Sequence, residues 1–167
     1  MKNILRFLLL LALVIIPATP VLAATTADVT VTATPKYVAI ADNVTSYDFG
    51  AVDTSGTYSM VTGYVGIDNT SSIQTDQTIS VTSTNWTGGD GWGHSETATA
   101  GASIAGLRAS KGSGAFDVII KNASPNDIAT NQAANTDYTY EVRLLAPTSF
   151  TDGAEKTITV RVTAAAG

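Results

Sequence analysis

The chain contains no cysteine, a single histidine and few charged residues. Without cysteine it has no disulfide bonds, no thiolate metal ligands, no thiol catalysis and no lipid-modified cysteine anchor. His94 is the only candidate base for a serine hydrolase, and the segment 93–97 carries Thr97 where a nucleophile elbow needs glycine. These absences predict a protein that is not an enzyme and that holds no zinc or copper ion.

Basic residues are scarce as well. Charged residues make up 14% of the chain, and its formal net charge is −5 at pH 7. Nucleic acids and anionic membranes are bound by clusters of Lys and Arg, which this sequence does not provide. We therefore expect neither as a partner.

The N-terminus is typical of a secretory signal peptide. Lys2 and Arg6 precede an apolar run over residues 7–16, and Val21-Leu22-Ala23 provides the small residues that precede a cleavage site. The ten-residue run is short for a membrane span. Cleavage after Ala23 leaves 167 − 23 = 144 residues with a formal charge of 7 − 14 = −7. The sequence therefore predicts a secreted protein of the cell surface without a membrane span after cleavage.

Threonine and serine are abundant in the chain. The chain has 26 Thr and 13 Ser, and short runs alternate Val, Ile or Tyr with Thr and Ser between turn residues. Strands with one apolar face need a second sheet to cover them. We expect one all-β domain over residues 24–167, an antiparallel β-sandwich of immunoglobulin-like or jelly-roll type with eight or nine strands, and a flexible segment at 24–28.

Three details of this pattern have consequences for the fold. The run at Phe116, Val118 and Ile120 predicts a clear strand. Residues 123–135 lack alternation and predict a long loop, with one helical turn near 125–129. In the strand around 138–144, Glu141 alternates with apolar residues and is expected on the polar face.

A glycine-rich segment over residues 85–96 is the first candidate site. It contains both tryptophans and the only histidine, together with Asp90. One interpretation is a carbohydrate-binding loop, in which Trp86 and Trp92 stack on sugar rings while Asp90 and His94 bind hydroxyl groups. The other is that the tryptophans pack in the core of the sandwich and the glycines allow a tight turn.

Asp and Asn residues suggest two further possibilities. Those around Asp42 and Asp68 favour turns and give only a weak indication of calcium, because no DxDxDG spacing occurs. No other metal or cofactor is expected. Sequons for N-glycosylation occur at four positions, which would lie in exposed loops if they are used: Asn43, Asn69, Asn85 and Asn122.

The segment that follows the predicted cleavage site lacks the residues that usually protect an edge strand. Residues 28–34 alternate apolar and Thr side chains, and the central five carry neither charge nor proline: Val29, Thr30, Val31, Thr32 and Ala33. Edge strands normally carry such a blocking residue. Either this strand lies inside the sheet of its own domain, or it adds to the sheet of a neighbouring copy and builds a filament.

Three stretches resemble small exported β-sandwich proteins of bacteria and archaea, which include filament subunits and WxL-type wall-associated domains. The stretches are Tyr47-Asp48-Phe49-Gly50, residues 86–92, and residues 144–153 followed by the strand at 158–163. The paired W-x-L motifs are absent, because Thr87-Gly88 follows Trp86 and Gly93-His94 follows Trp92. The resemblance implies an exported sandwich and assigns no functional residue.

These observations predict a secreted structural or interaction module that assembles with itself or with other surface proteins. A carbohydrate-binding module, with glycans as partners, is the first alternative. A structural subunit of a virion or envelope is the second, because it would have the same sequence character.

Overall fold

The computed structural model of the protein describes residues 30–112 and 114–167. The predicted signal peptide and residues 24–29 lie outside the described residues. Among the described residues, no helix is long and apolar enough to cross a membrane. Residues 35–167 form one compact unit built from strands and turns.

Ten strands occur in the described ranges, where eight or nine were expected. In chain order they are β1 Ile40–Asp42, β2 Thr57–Ser59, β3 Val65–Asn69, β4 Thr75–Val81, β5 Gly93–His94, β6 Ile104–Lys111, β7 Val118–Ile119, β8 Asn126–Gln132, β9 Tyr138–Leu145 and β10 Val160–Ala166. The longest of them, β6 and β9, form the middle of the larger sheet.

The strands form two sheets. The larger sheet has the order β1-β3-β9-β6-β5, with β2 also paired to β9 and β7 also paired to β6. The smaller sheet has the order β10-β4-β8. All strand pairs are antiparallel except β5 with β6, which run parallel. The predicted all-β antiparallel sandwich is therefore confirmed.

The core lies between the sheets and takes side chains from both. Ile67, Leu107 and Val142 come from the larger sheet, and Ile79 and Val81 come from β4 of the smaller sheet. All five are 5% exposed or less. Alternate residues of β4 are buried because they face this interior, as its period-two pattern predicts.

Residues 123–135 were predicted as a loop with a helical turn, and this was wrong. Residues 126–132 form β8, which pairs with β4. Its register shifts twice, between Thr75 and Gln77 and again between Gln77 and Thr78. Two adjacent residues, Ile128 and Ala129, are both buried. Bulges of this kind break the alternation from which a strand is predicted.

Two further expectations differ from the structure. The strand predicted around Phe116 is reduced to the two residues of β7. Glu141 was expected on a polar, solvated face, but it is 2% exposed. Glu141 is buried because β9 has neighbouring strands at both edges and the turn around Gly63 contacts its outer face at this residue.

The predicted first strand is not seen in its described part. Residues 30–34 adopt no regular secondary structure and are exposed. Val31 has 86% of its surface accessible. Asp28 and Val29 lie outside the described residues. Residues 30–34 therefore have the alternating sequence of a strand but do not pair with any strand among the described residues.

The open edges of the two sheets differ in length and regularity. In the larger sheet β1 and β2 have three residues each, and β5 and β7 have two. In the smaller sheet β8 is interrupted by its register shifts and by Asn131, which has a φ of 52°. By contrast, β10 pairs with β4 over seven consecutive residue pairs. Among the described residues, no strand pairs with the other side of β10.

Candidate functional site

The two tryptophans are joined by the backbone of a narrow loop. The Trp86 N–H donates to the Trp92 carbonyl at 2.7 Å, and an antiparallel bridge pairs Asn85 with Gly93. The indole rings lie 5.8 Å apart at 60°, and the Phe150 ring lies 5.4 Å from Trp92. The loop thus gathers three aromatic rings at one end of the sandwich.

The glycines at the tip of this loop allow a close approach to a second loop, residues 150–157. Gly88 has a φ of 106°, and a Cβ atom there would overlap the carbonyl oxygen of Glu155. Thr87 and Thr157 exchange two backbone hydrogen bonds of 2.9 Å each. The glycine-rich sequence is therefore needed for packing between loops, since a side chain at Gly88 has no room.

Both tryptophan side chains belong to the hydrophobic core. Trp86 is 7% exposed and Trp92 is 5% exposed. Stacking on a sugar requires a free aromatic face, and neither ring presents one to bulk solvent in this conformation. The interpretation in which the tryptophans pack in the core agrees with this placement.

The same rings nevertheless line a cavity of about 460 Å³. Its apolar wall includes Phe49, Val52, Leu144 and Phe150 in addition to the two tryptophans, and its polar rim includes Asp48, Asp152, Glu155 and Lys156. The Nε1 atoms of both tryptophans are buried and have no hydrogen-bond partner among the described residues. A buried N–H without a partner costs about 1–3 kcal/mol.

Asp90 and Asp152 tie the two loops together at the rim. The Thr151 hydroxyl donates to Asp90 Oδ2 at 2.9 Å, and the Asp90 N–H donates to Asp152 Oδ2. Lys156 forms an ion pair with Asp152. The hydrogen bond from Lys156, followed by that from the Asp90 N–H, lowers the pKa of the Asp152 carboxyl below its usual value. Asp90 is thus engaged in a loop contact and does not line the cavity.

His94 lies away from the cavity lining. Its Nε2 atom is 2.8 Å from the carbonyl oxygen of Ile120. Because a carbonyl can only accept, Nε2 is the donor in this bond. Nδ1 is buried and has no partner among the described residues. The Ser95 hydroxyl accepts from the Thr99 N–H at 3.0 Å, so it and the imidazole have separate partners.

Of the four predicted ligand residues, only Trp86 and Trp92 are therefore brought together. Apart from Asp48, the charged groups at their cavity come from 152–156, a segment that was not predicted to bind a ligand. The Asp-Gly turn at 152–153 was visible in the sequence, but its position opposite the tryptophan loop depends on the pairing of Thr87 with Thr157.

The sequons fall in two environments. Asn43 and Asn85 are exposed. Asn69 is 1% exposed, and its Nδ2 donates to the Ala133 carbonyl at 3.0 Å. Asn122 uses its Nδ2 in the same way, towards the Val81 carbonyl at 3.1 Å. The expectation of an exposed loop does not hold for Asn69, because its amide nitrogen is part of the buried hydrogen bonding.

The loop carboxylates and amides proposed as a weak calcium site do not converge. The Asn69 side chain is committed to Ser71 and Ala133. Within residues 30–112 and 114–167, no three His, Cys, Asp or Glu side chains come together as metal ligands would.

The exposed side of β10 is a second candidate region, which we call the β10 edge and define as residues 157–166. The Thr82 N–H donates to the Thr159 carbonyl, and the Gly167 N–H donates to the Gln74 carbonyl. Antiparallel pairs alternate between hydrogen-bonded and non-hydrogen-bonded. The register with β4 therefore directs the backbone N–H and C=O groups of Val160, Val162 and Ala164 outwards, away from β4.

The side chains of the β10 edge are incompletely covered. Ile158, Val160 and Val162 contact the core but are only half-buried. Their neighbours on β4 are far more enclosed, with Val81 at 2% exposure and Ile79 at 0%. The apolar face of the smaller sheet is therefore only partly covered at β10, its last strand.

Comparison of the chain with models of known families, with curated proteins and with solved structures finds no match.

Proposed function

We propose that the mature chain is a secreted structural module of the cell surface that assembles with copies of itself by strand addition. The observation that carries this proposal is the exposed segment 30–34. It has the alternation of a strand, and Val31 is 86% exposed although a paired strand would bury it. An apolar row of this kind is stabilised when it covers the open side of another sheet.

The energetics favour addition to an existing sheet over an isolated strand. Ordering one residue costs about 1–2 kcal/mol of backbone entropy, and a lone strand has neither backbone partners nor an apolar surface to offset it. Burial of one Val side chain contributes about 1.5–3 kcal/mol. Strand addition supplies this burial together with the backbone hydrogen bonds of a new pair.

Electron microscopy of the mature chain, residues 24–167, tests the proposal. We expect filaments or ordered multimers in negative stain and a matching rise in light scattering. The variant Val31→Lys should lose assembly, because it places a charge on the apolar row. Thr32→Lys carries the same charge on the opposite face of the segment and should still assemble. A parent protein that stays monomeric at high concentration would contradict the proposal.

A deletion separates assembly from folding. Residues 30–34 are exposed, so removal of residues 24–34 should leave the thermal unfolding of the sandwich unchanged while abolishing assembly. Unfolding of the truncated chain would show instead that the segment belongs to the sheet of its own domain.

A second candidate function, carbohydrate binding, is supported by the cavity. It falls within the usual volume range of small-molecule sites, and both indole side chains contribute to its lining. The carboxylates of Asp152 and Glu155 at the rim are suitable acceptors for sugar hydroxyl groups.

Tryptophan fluorescence tests this alternative directly, since both tryptophans of the chain line the cavity. Titration with glycans selected from an array should change the emission in a saturable way. Glu155→Gln at the rim should weaken binding more than threefold. An unchanged emission with every array glycan would remove the alternative.

A further inference from the structure

We propose that the acceptor for strand addition is the β10 edge, and that residues 25–32 of one copy pair with it in antiparallel orientation, Asp28 lying opposite Arg161 of the next copy. This inference rests on the proposed function, since it names the surface at which self-assembly occurs.

The first argument is the choice of edge. A strand adds only where backbone donors and acceptors are free over a sufficient length. The edges of the larger sheet are two or three residues long, and β8 is broken by register shifts. Among the described strands, β10 combines length, regular pairing and outward-directed backbone groups.

The second argument is the match between the apolar rows. With Asp28 opposite Arg161, antiparallel pairing places Val29 opposite Val160 and Val31 opposite Ile158. Ala27 then lies opposite Val162. The half-buried row of the β10 edge would thereby be covered by the apolar face of the added segment.

The parallel alternative matches less well. The same opposition of Asp28 and Arg161 then places Val31 opposite Ala164 and Ala33 opposite Ala166. Val31 would then face the small Ala164 and Ile158 would face Thr25, although Val29 would still face Val162. The antiparallel register therefore buries more apolar surface.

The third argument is charge. Asp28 is the only charged residue in the segment 24–34, and Arg161 is the only one in residues 157–166. By period-two alternation both lie on the Thr-rich face, opposite the apolar row. Opposite charges facing each other across two strands favour this register over one shifted by two residues.

The connection at Pro35 explains why a second copy is the expected donor. The Ser72 N–H donates to the Tyr37 carbonyl, and the Gly167 N–H donates to the Gln74 carbonyl. Tyr37 therefore lies at the end of the smaller sheet where β10 ends. A segment that folded back from this point along its own β10 would run parallel to it, which gives the less favourable match.

Disulfide crosslinking tests the inference without background, because the chain has no cysteine. In the antiparallel register Thr30 lies opposite Thr159 in a non-hydrogen-bonded pair. Such residues have Cα atoms about 4.5 Å apart, within the range that a disulfide spans. Mixed assembly of Thr30→Cys chains with Thr159→Cys chains, followed by mild oxidation, should give a covalent dimer.

Two matched variants define the controls, each replacing an exposed Thr. Thr163→Cys lies four residues further along β10, about 13 Å away, and is the expected partner of position 30 in parallel pairing. Thr130→Cys lies on β8, the other edge of the same sheet. We expect at least tenfold less dimer with either control than with Thr159→Cys.

The possible results separate the inference from the proposed function. A dimer formed through position 163 would overturn the antiparallel register, and one formed through position 130 would overturn β10 as the acceptor. An internal disulfide in the double variant Thr30→Cys/Thr163→Cys would show that the segment folds onto its own chain. Filaments without any of these disulfides would overturn the inference alone, whereas absence of filaments would overturn the proposed function too.

A proline variant gives an independent readout. The Val162 N–H points away from β4, so Val162→Pro removes no hydrogen bond within the sheet but blocks the approach of an added strand. We expect a folded protein that has lost assembly. Arg161→Pro removes an N–H directed at β4 and should unfold. A folded Val162→Pro protein that assembles as the parent does would refute the inference.

Discussion

Glu141 offers a sharp test of the structure, because its position differs from what its sequence pattern predicts. Its carboxylate accepts a hydrogen bond from the Gly63 N–H at 2.7 Å through Oε1 and one from the Ser110 hydroxyl at 2.6 Å through Oε2. The side chain is 2% exposed. Glu141→Ala removes both acceptors and leaves two donors facing a small cavity.

The expected magnitude follows from these two bonds. A buried donor that loses its partner costs about 1–3 kcal/mol, and hydrogen bonds to a charged group lie at the upper end. The Ser110 hydroxyl can turn back to the Gly112 carbonyl, which is 3.1 Å away, whereas the Gly63 N–H has no alternative among the described residues. With one donor left without a partner, we therefore expect Glu141→Ala to lower the free energy of unfolding by about 2–3 kcal/mol.

Urea denaturation followed by tryptophan fluorescence measures this loss, since both buried indoles become exposed on unfolding. Glu155→Ala removes an exposed Glu and serves as the matched control, with an expected change within about 0.5 kcal/mol. If Glu141→Ala also stays within about 0.5 kcal/mol, Glu141 lies on a solvated face and the described packing of β9 is wrong.

Three further changes have defined outcomes. Trp92→Ala should lower the free energy of unfolding by about 3–5 kcal/mol in urea, because the ring is 5% exposed and packs on Trp86 and Phe150; a loss below about 1 kcal/mol would contradict a core role. Burial raises the pKa of the Tyr138 hydroxyl above its ordinary value of 10.0. Because the fold favours the neutral form of this hydroxyl, the free energy of unfolding should be unaffected by it below about pH 10 and should fall at higher pH. The decline should be less steep in Tyr138→Phe, and equal slopes for the two proteins would refute this reasoning. The pKa of Asp152 is lowered in the fold, so this carboxylate stabilises the folded protein above pH 3.8, and the stabilisation is lost on acidification. Asp152→Asn should flatten the acid limb of the stability profile, and an unchanged limb would show that the ion pair with Lys156 is without effect.

Strands with strict alternation could be predicted from sequence. β4, β9 and β10 each alternate apolar and polar residues, and all three are present in the structure. β8 could not be predicted in this way because its register shifts place two consecutive residues in the core. Alternation predicts a strand only where pairing is regular, and bulges are set by the neighbouring strand.

The candidate site was only partly accessible to sequence reasoning. The clustering of both tryptophans in one glycine-rich loop was visible, and so was the possibility that they pack in the core. The partner loop at 150–157 and the cavity between them depend on contacts between residues far apart in the chain, such as Asp90 with Asp152. The same holds for Glu141, whose burial depends on a turn almost 80 residues earlier.

The sequence by itself determined the all-β class, the absence of thiol chemistry and the period-two alternation of residues 28–34. These properties follow from residue types and from the period of two, which are local. Only the tertiary structure decided that β10 is a long edge with outward-directed backbone groups and half-covered valines. An edge is defined by which strand is absent beside it, and this depends on how the whole chain is paired.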